Sequence, residues 1–226
     1  FGTIARIARG NGHTKVLCQI DNVEPHEHHL TDKPFNRYYL HSVDGFVYMS
    51  EQVHSELRAY SDAPALFSPH PLFENFGERV ERSEACVRLG LDPANRYVLF
   101  FGLIRDYKGL DLLLDAWAQL RRAGEFSTAG EPYLNRIADN GLQDEVLLHD
   151  RFIPDDDVKY YFSAADFVVQ PYKTATQSGV TQIAYQFCVP MVVTKVGGLA
   201  EIVPDGRVGY VCEPTPEGVA GAIERM

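Results

Sequence analysis

From Val98 to the end of the chain, short apolar runs rich in β-branched and aromatic residues alternate with longer stretches of helical period. That alternation admits few folds: it calls for a parallel sheet with helices on both faces. "YVLFFG" predicts a strand buried on both sides and ended by Gly102. "LDLLLDAWAQLRR" then places Leu110, Leu113, Leu114 and Trp117 at helical spacing, with Asp111, Asp115 and Gln119 opposite. Further strands are expected at "EVLLHD", "FVVQPY", "MVVTKV" and "VGYVCEP", and helices at "YLNRIADNGL", "DDDVKYYFSAAD", "VTQIAYQFC", "LAEIV" and the tail. Asp155, Asp156 and Asp157 read as charges matched to a helix N-terminus rather than as a metal cluster. In the tail, Thr215 can cap and Pro216 fits the first helical position. One strand is missing from the rhythm. Between two helical segments stands only "AGEFSTAGEP", and a crossover needs a strand there, so residues are expected to be absent from the chain near 122–127.

Before Val98 the pattern is that of a second region. "TKVLCQIDNV" predicts a strand, "FNRYYLHSVDGFVYMSEQVHSELRAY" a helix, a short buried strand and another helix, and "ALFSPHPLF" a strand leading into a proline-rich crossover. The charged stretch Glu78 to Glu84 is taken as the join. The expected division is residues 1–80, the C-terminal part of an N-terminal Rossmann-like domain, and residues 81–226, a C-terminal Rossmann-like domain. Two αβ units are too few for a whole domain. The chain also opens on Phe1, so its native start is expected to lie upstream.

Composition narrows the function classes. The formal net charge is −10 and the cations are scattered singly, which argues against nucleic-acid binding. Cys18, Cys86, Cys188 and Cys212 form no C-x-x-C pair and mostly sit in apolar runs, as expected of a reduced, cytoplasmic protein. No run approaches the ~20 apolar residues of a membrane-spanning helix.

The sharpest motif is "FFGLIRDYKGLDLLLDAW". It follows a predicted strand, opens on Gly102, sets Arg105 and Lys108 three apart and closes on Gly109 before a helix. Ligands of open parallel sheets bind beyond the carboxyl ends of the strands, and helix N-termini there favour anions. Two cations at that point suit a diphosphate, although spacing alone leaves solvated loop charges as the alternative.

Taken with "LLHDRFIPDDDVKYYFSAADFVVQPY" and "CVPMVVTKVGGLAEIVPDGRVGYV", this motif closely resembles the donor-binding half of a GT-B glycosyltransferase of the retaining group 1 family. The resemblance covers roughly Val98 to the end, and "GFVYMSEQVHSEL" and "SPHPL" look like the end of that family's N-terminal domain. It implies an α/β fold of two Rossmann-like domains facing a cleft, the first incomplete. It also implies transfer of a sugar from a nucleotide-diphosphate sugar to an acceptor hydroxyl with retention, with no metal or covalently bound cofactor. Arg105 and Lys108 would hold the diphosphate and stabilise the departing charge. Gly102 would line the donor site, Arg151, Phe152 and Ile153 would take the place of the nucleotide base, and Gln177, Ser178, Gly179 and Val180 would form the phosphate-facing loop at a helix N-terminus. The implied partners are the donor and an unidentified saccharide or lipid-linked acceptor, and any peripheral membrane contact would run through the missing N-terminal half. Polysaccharide biosynthesis is the setting the family suggests.

The chain departs from the family at two positions. Many members carry glutamates eight apart before the "G-x-P-V-V" strand, and here those positions hold Ala175 and Ile183, neither able to accept a hydrogen bond through its side chain. That puts the donor's identity in question and keeps a catalytically silent nucleotide-sugar-binding subunit open. A nucleotide-sugar 2-epimerase is a further alternative, but it needs acid/base carboxylates that cannot be placed. Finally, "VEPHEHHL" has three histidines in four positions yet no H-E-x-x-H spacing, and Pro25 disfavours a helix across its start. His26 resembles the family's loop histidine near the sugar and is the third candidate catalytic residue. His28 and His29 read as solvated.

Overall fold

The computed structural model describes residues 1–24, 32–121 and 132–226. They form two compact units, Phe1–Pro71 with Ala175–Gln177, and Leu72–Thr174 with Ser178–Met226. His26 and the expected gap near 122–127 lie outside the described residues.

The first unit holds a parallel sheet of β1 (Leu17–Ile20), β2 (Gly45–Tyr48) and β3 (Ala65–Phe67), in that order. Its helices are α1 (Gly2–Arg9), α2 (Asp32–Leu40) and α3 (Glu51–Arg58). β2 is the central strand, and three of its four residues are buried. Phe46 and Tyr48 pack with Ile20, Leu40, Val53 and Leu57, where each large side chain taken fully from water contributes ~1.5–3 kcal/mol. The turn from β2 into α3 is fixed by Ser50, whose hydroxyl accepts from the Val53 amide at 3.3 Å. This N-cap satisfies one of the donors that a helix start leaves free. Thr176 donates to the Asn22 side chain within the same unit.

The second unit is a four-stranded parallel sheet in the order β4 (Val98–Leu99), β5 (Phe167–Gln170), β6 (Met191–Thr194) and β7 (Gly209–Cys212). All four residues of both β5 and β6 are buried, which explains why each reads as consecutive rather than alternating apolar positions, with one polar residue at its end. α5 (Leu110–Arg121) and α10 (Pro216–Arg225) pack together over one face, where Leu113, Leu114 and Val219 meet Phe167, Val169 and Val192. α4 (Arg82–Leu89) packs on α7 (Asp155–Ala164) through Ala85, Cys86 and Ala164. α6 (Pro132–Asp139) follows α5. α8 (Gly179–Gln186) and α9 (Leu199–Ile202) fill the connections around β6. Thr215 caps α10 as expected, accepting from the Gly218 amide at 3.1 Å.

Two expectations fail at the sheet's first edge. The strand predicted at "YVLFFG" is only Val98–Leu99, both half-buried, and "EVLLHD" is not a strand. The two differences are linked: "EVLLHD" forms no ladder beside β4, and among the described residues β4 pairs with β5 alone. Leu147 is accordingly 63% exposed where a buried strand was expected. Two helices, α1 and α4, have no counterpart in the sequence reading.

Candidate functional site

The motif around Lys108 lies at the carboxyl end of β4. The chain leaves the strand through Gly102, at φ +103°, a conformation open to glycine. A Cβ there would stand 2.8 Å from the Lys108 ammonium, so glycine also clears space for that group. Asp106–Lys108 then make one turn of 3₁₀ helix, closed by Gly109 at φ +66°, before α5 starts at Leu110. A Cβ on Gly109 would fall 1.9 Å from the Pro171 carbonyl oxygen. The turn is thus held against the segment that follows β5, and the Lys173 amide donates to the Tyr107 carbonyl at 2.7 Å.

Lys108 is half-buried, its ammonium 5.7 Å from the centre of the Tyr172 ring. Among the described residues it has no ion pair. Burial, reinforced by the Arg105 guanidinium, holds its pKa below the ordinary lysine value. Lys173 contrasts with it. Its ammonium lies 2.8 Å from Asp106 and 2.9 Å from Asp111. Burial pulls its pKa down, but the two carboxylates outweigh that and leave it raised. Arg105 is exposed.

The second wall of the site is the start of α8. Ser178 is its N-cap, accepting from the Val180 amide at 3.2 Å and sharing a 3.2 Å hydrogen bond with the Tyr172 hydroxyl. Burial pushes Tyr172 up to about 12, so the phenol stays protonated. Val180 approaches Gly102 from the other side, 3.7 Å from where a Cβ would stand. At Gly179 a Cβ would meet the Phe73 ring at 3.1 Å. Below this rim lies a buried polar lattice. Thr181 donates to the Gln170 side chain at 3.1 Å, and Thr194 donates to the Tyr172 carbonyl at 2.6 Å. The structure therefore gathers Gly102, Lys108, Ser178, Gly179 and Val180 around Tyr172.

The remaining predicted positions are placed as follows. Arg151, Phe152 and Ile153 form the loop entering α7, with Phe152 84% exposed. Nearby, His149 bonds the Tyr161 hydroxyl at 2.7 Å, and the Tyr161 ring lies 6.2 Å from that of Phe101, next to Gly102. Gln177 belongs to the first unit, and its side-chain oxygen is buried without a hydrogen-bond partner among the described residues. Ala175 and Ile183 are both buried. Asp155, Asp156 and Asp157 occupy the first turn of α7, and Asp157 pairs with Arg88 at 3.1 Å. Among the described residues no three His, Cys, Asp or Glu side chains form a metal-binding group. Tyr172 and Lys173 were missed by the sequence reading, which put Tyr172 at the end of the strand "FVVQPY" and Lys173 at the start of the polar loop "KTATQSG".

Residues 95–226 match the family model for glycosyl transferases group 1. The chain belongs to the group 1 glycosyltransferases. Among curated relatives of this family, it is 31% identical over 165 residues to the lipopolysaccharide core biosynthesis mannosyltransferase LpsB of Rhizobium meliloti, covering 66% of this chain and 45% of that protein. The chain spans a third to a half of the length of the first curated relatives it matches. In fold it is similar to sucrose-phosphate synthase from Thermosynechococcus elongatus, with TM-score 0.82 and 21% identity over 99% of this chain and 61% of that one. It is likewise similar to Anabaena HepE in complex with UDP-glucose, with TM-score 0.76 and 19% identity over 99% of this chain and 65% of that one. The α/β architecture with two parallel sheets is thus the GT-B fold of group 1 glycosyltransferases. Among the described residues no helix is long and apolar enough to cross a membrane.

Proposed function

We propose that this group 1 glycosyltransferase binds a nucleotide-diphosphate sugar through its second unit and transfers the sugar to an acceptor hydroxyl with retention. One observation carries the reading. Lys108 is a desolvated cation with no carboxylate partner among the described residues, lying near a second cation, Arg105, and beside Gly102, which the Val180 side chain of α8 also approaches. Leaving a charge buried and unpaired is costly, and an incoming dianion removes that cost. The diphosphate lies between the Lys108 ammonium and the positive N-terminal end of α8, with Arg105 at the rim. As the bond from the anomeric carbon to the diphosphate oxygen breaks, negative charge grows on that oxygen. Fixed cations and amide dipoles stabilise it without reorganising. No metal ion is needed for this electrostatic role. Arg151, Phe152 and Ile153 meet the base, and the family resemblance keeps His26, which lies outside the described residues, as the third catalytic candidate. The neighbour that binds UDP-glucose supports a donor of this chemical class. The four cysteines, all free thiols, support a reducing, cytoplasmic setting.

Ala175 and Ile183 favour one second reading, a subunit that binds the nucleotide sugar without turning it over. Donor hydrolysis and transfer, assayed with the full-length protein across several nucleotide sugars, separate the two. The transferase reading expects turnover with at least one donor and a loss of at least ~100-fold in Lys108→Ala. Tight binding with no turnover for any donor and acceptor extract would overturn it, and near-normal activity in Lys108→Ala would remove that lysine from the mechanism.

A further inference from the structure

The segment Pro171–Lys173 touches every part of the turn that carries Lys108. The Pro171 carbonyl lies against Gly109, the Tyr172 ring lies near the Lys108 ammonium, and the Lys173 amide holds the Tyr107 carbonyl. The Lys173 side chain completes the arrangement. It spans Asp106, on the same 3₁₀ turn as Lys108, and Asp111, in the first turn of α5. These are the two acidic residues in the stretch 105–111. The Asp106 side chain is 88% exposed, so little but Lys173 restrains where its carboxylate points.

We infer that Lys173 is a positioning residue for the diphosphate site: by engaging Asp106 and Asp111 it keeps both carboxylates from neutralising Arg105 and Lys108, and so reserves those cations for the ligand. The inference rests on the diphosphate reading above. Without Lys173, Asp106 has a cation of opposite charge on either side of it in sequence, and opposite charges within ~4–6 Å stabilise each other's ionised forms. A diphosphate must then displace a carboxylate before it can bind. The ionisable groups around this arrangement are Arg105, Tyr107 and Tyr172 near Lys108, and Tyr133 and Arg136 of α6 near Lys173. Arg136 is itself held by Asp115 at 2.6 Å, which leaves Lys173 to Asp106 and Asp111.

The test uses the full-length protein, with UDP and inorganic pyrophosphate as probes and titration calorimetry over a range of pH. Lys173→Met is expected to bind both probes about tenfold more weakly, and the pH at which binding falls off should move upward, because a carboxylate beside Lys108 raises its pKa. Lys173→Arg should restore both values. The decisive variant is Asp106→Asn combined with Lys173→Met. It removes Asp106, the exposed and less restrained of the two competing carboxylates, so binding should recover most of the tenfold loss, an outcome that repair of packing alone does not produce. Wild-type affinity in Lys173→Met, or a double variant no better than the single one, would overturn the inference. Melting curves identify a variant that has not folded, in which case Lys173→Gln takes the place of Met in both comparisons. Unchanged probe binding in Lys108→Ala would instead count against the diphosphate reading itself.

Discussion

Gly109→Ala is the change whose cost is most directly readable from the structure. The new Cβ would stand 1.9 Å from the Pro171 oxygen and 3.0 Å from its carbonyl carbon. A close C···O contact is ~3.3 Å, so the turn and the Pro171 segment must part by more than about 1 Å. Both obstacles are backbone, which cannot swing aside as a side-chain tip would. Overpacking of this kind costs ~1–3 kcal/mol, and holding alanine at φ +66° adds ~1–2 kcal/mol. Gly90→Ala is the matching control, since Gly90 has φ +70° but nothing within 4 Å of the added Cβ. It should lose only the backbone part, so the two variants should differ by ~1–3 kcal/mol. The chain has a single tryptophan, Trp117, on α5 shortly after Gly109, with its indole N–H on Glu145 at 2.8 Å. Its fluorescence in a urea titration therefore reports the second unit. With a slope of ~2 kcal/mol/M, Gly109→Ala should bring the midpoint ~0.5–1.5 M below that of Gly90→Ala. Equal midpoints would refute the claim that the close approach of Gly109 and Pro171 holds the turn. UDP affinity should fall in Gly109→Ala and stay at the wild-type value in Gly90→Ala.

Three further outcomes are expected. Because Lys108 titrates below the usual lysine value, the unfolded state binds more protons than the folded one between that lowered value and ~10.4, so its contribution to stability grows as pH rises through that window. Diphosphate binding should reverse the shift and take up a proton there, measurable by calorimetry in two buffers of different ionisation enthalpy, and Lys108→Arg should abolish the uptake. Cys188 has φ +52°, the one non-glycine left-handed residue among the described residues; Cys188→Gly should raise stability by ~0.5 kcal/mol, the relief of a ~1–2 kcal/mol conformational cost less the entropy glycine brings, and a lowered melting temperature would contradict this. Ser178→Ala should cost ~1 kcal/mol of stability through the lost cap, read by urea titration, and weaken UDP binding as well, because the same hydroxyl ties Tyr172 to the start of α8.

What the sequence disclosed about this fold follows from period and burial. β5 and β6 were legible because each opens on three consecutive apolar residues in a strand buried along its whole length. α10 was legible because Thr215, Pro216 and Glu217 spell a helix start. α1 was hidden because Ile4 and Ile7, the residues that would signal a core-facing stripe, are exposed, while Gly2 and Ala5 are the buried ones. α4 was hidden because "RSEACVRL" buries only Ala85 and Cys86 and reads as a charged linker. At the site, the order Gly102, Arg105, Lys108, Gly109 was visible as a motif, but Tyr172 and Lys173 were not. They act 64 residues or more after Lys108 in the chain, across the step from β4 to β5, and no spacing rule connects positions joined only by strand pairing. The one available signal was Gln170, a polar residue closing the apolar run Phe167–Val169.

That glutamine has a consequence for the helix above it. Apolar side chains grip without direction, so a helix seated only on them can rotate or slide by a fraction of a turn at little cost. The bond from Thr181 of α8 to the Gln170 side chain of β5 has a fixed reach and bearing. Turning α8 would orphan two buried polar groups, the Thr181 hydroxyl and the Gln170 oxygen, at ~1–3 kcal/mol each. This contact acts as a key in a shaft, setting the bearing of α8 from inside the core, so that substitutions along the exposed rim can alter what the site touches without altering where the helix points.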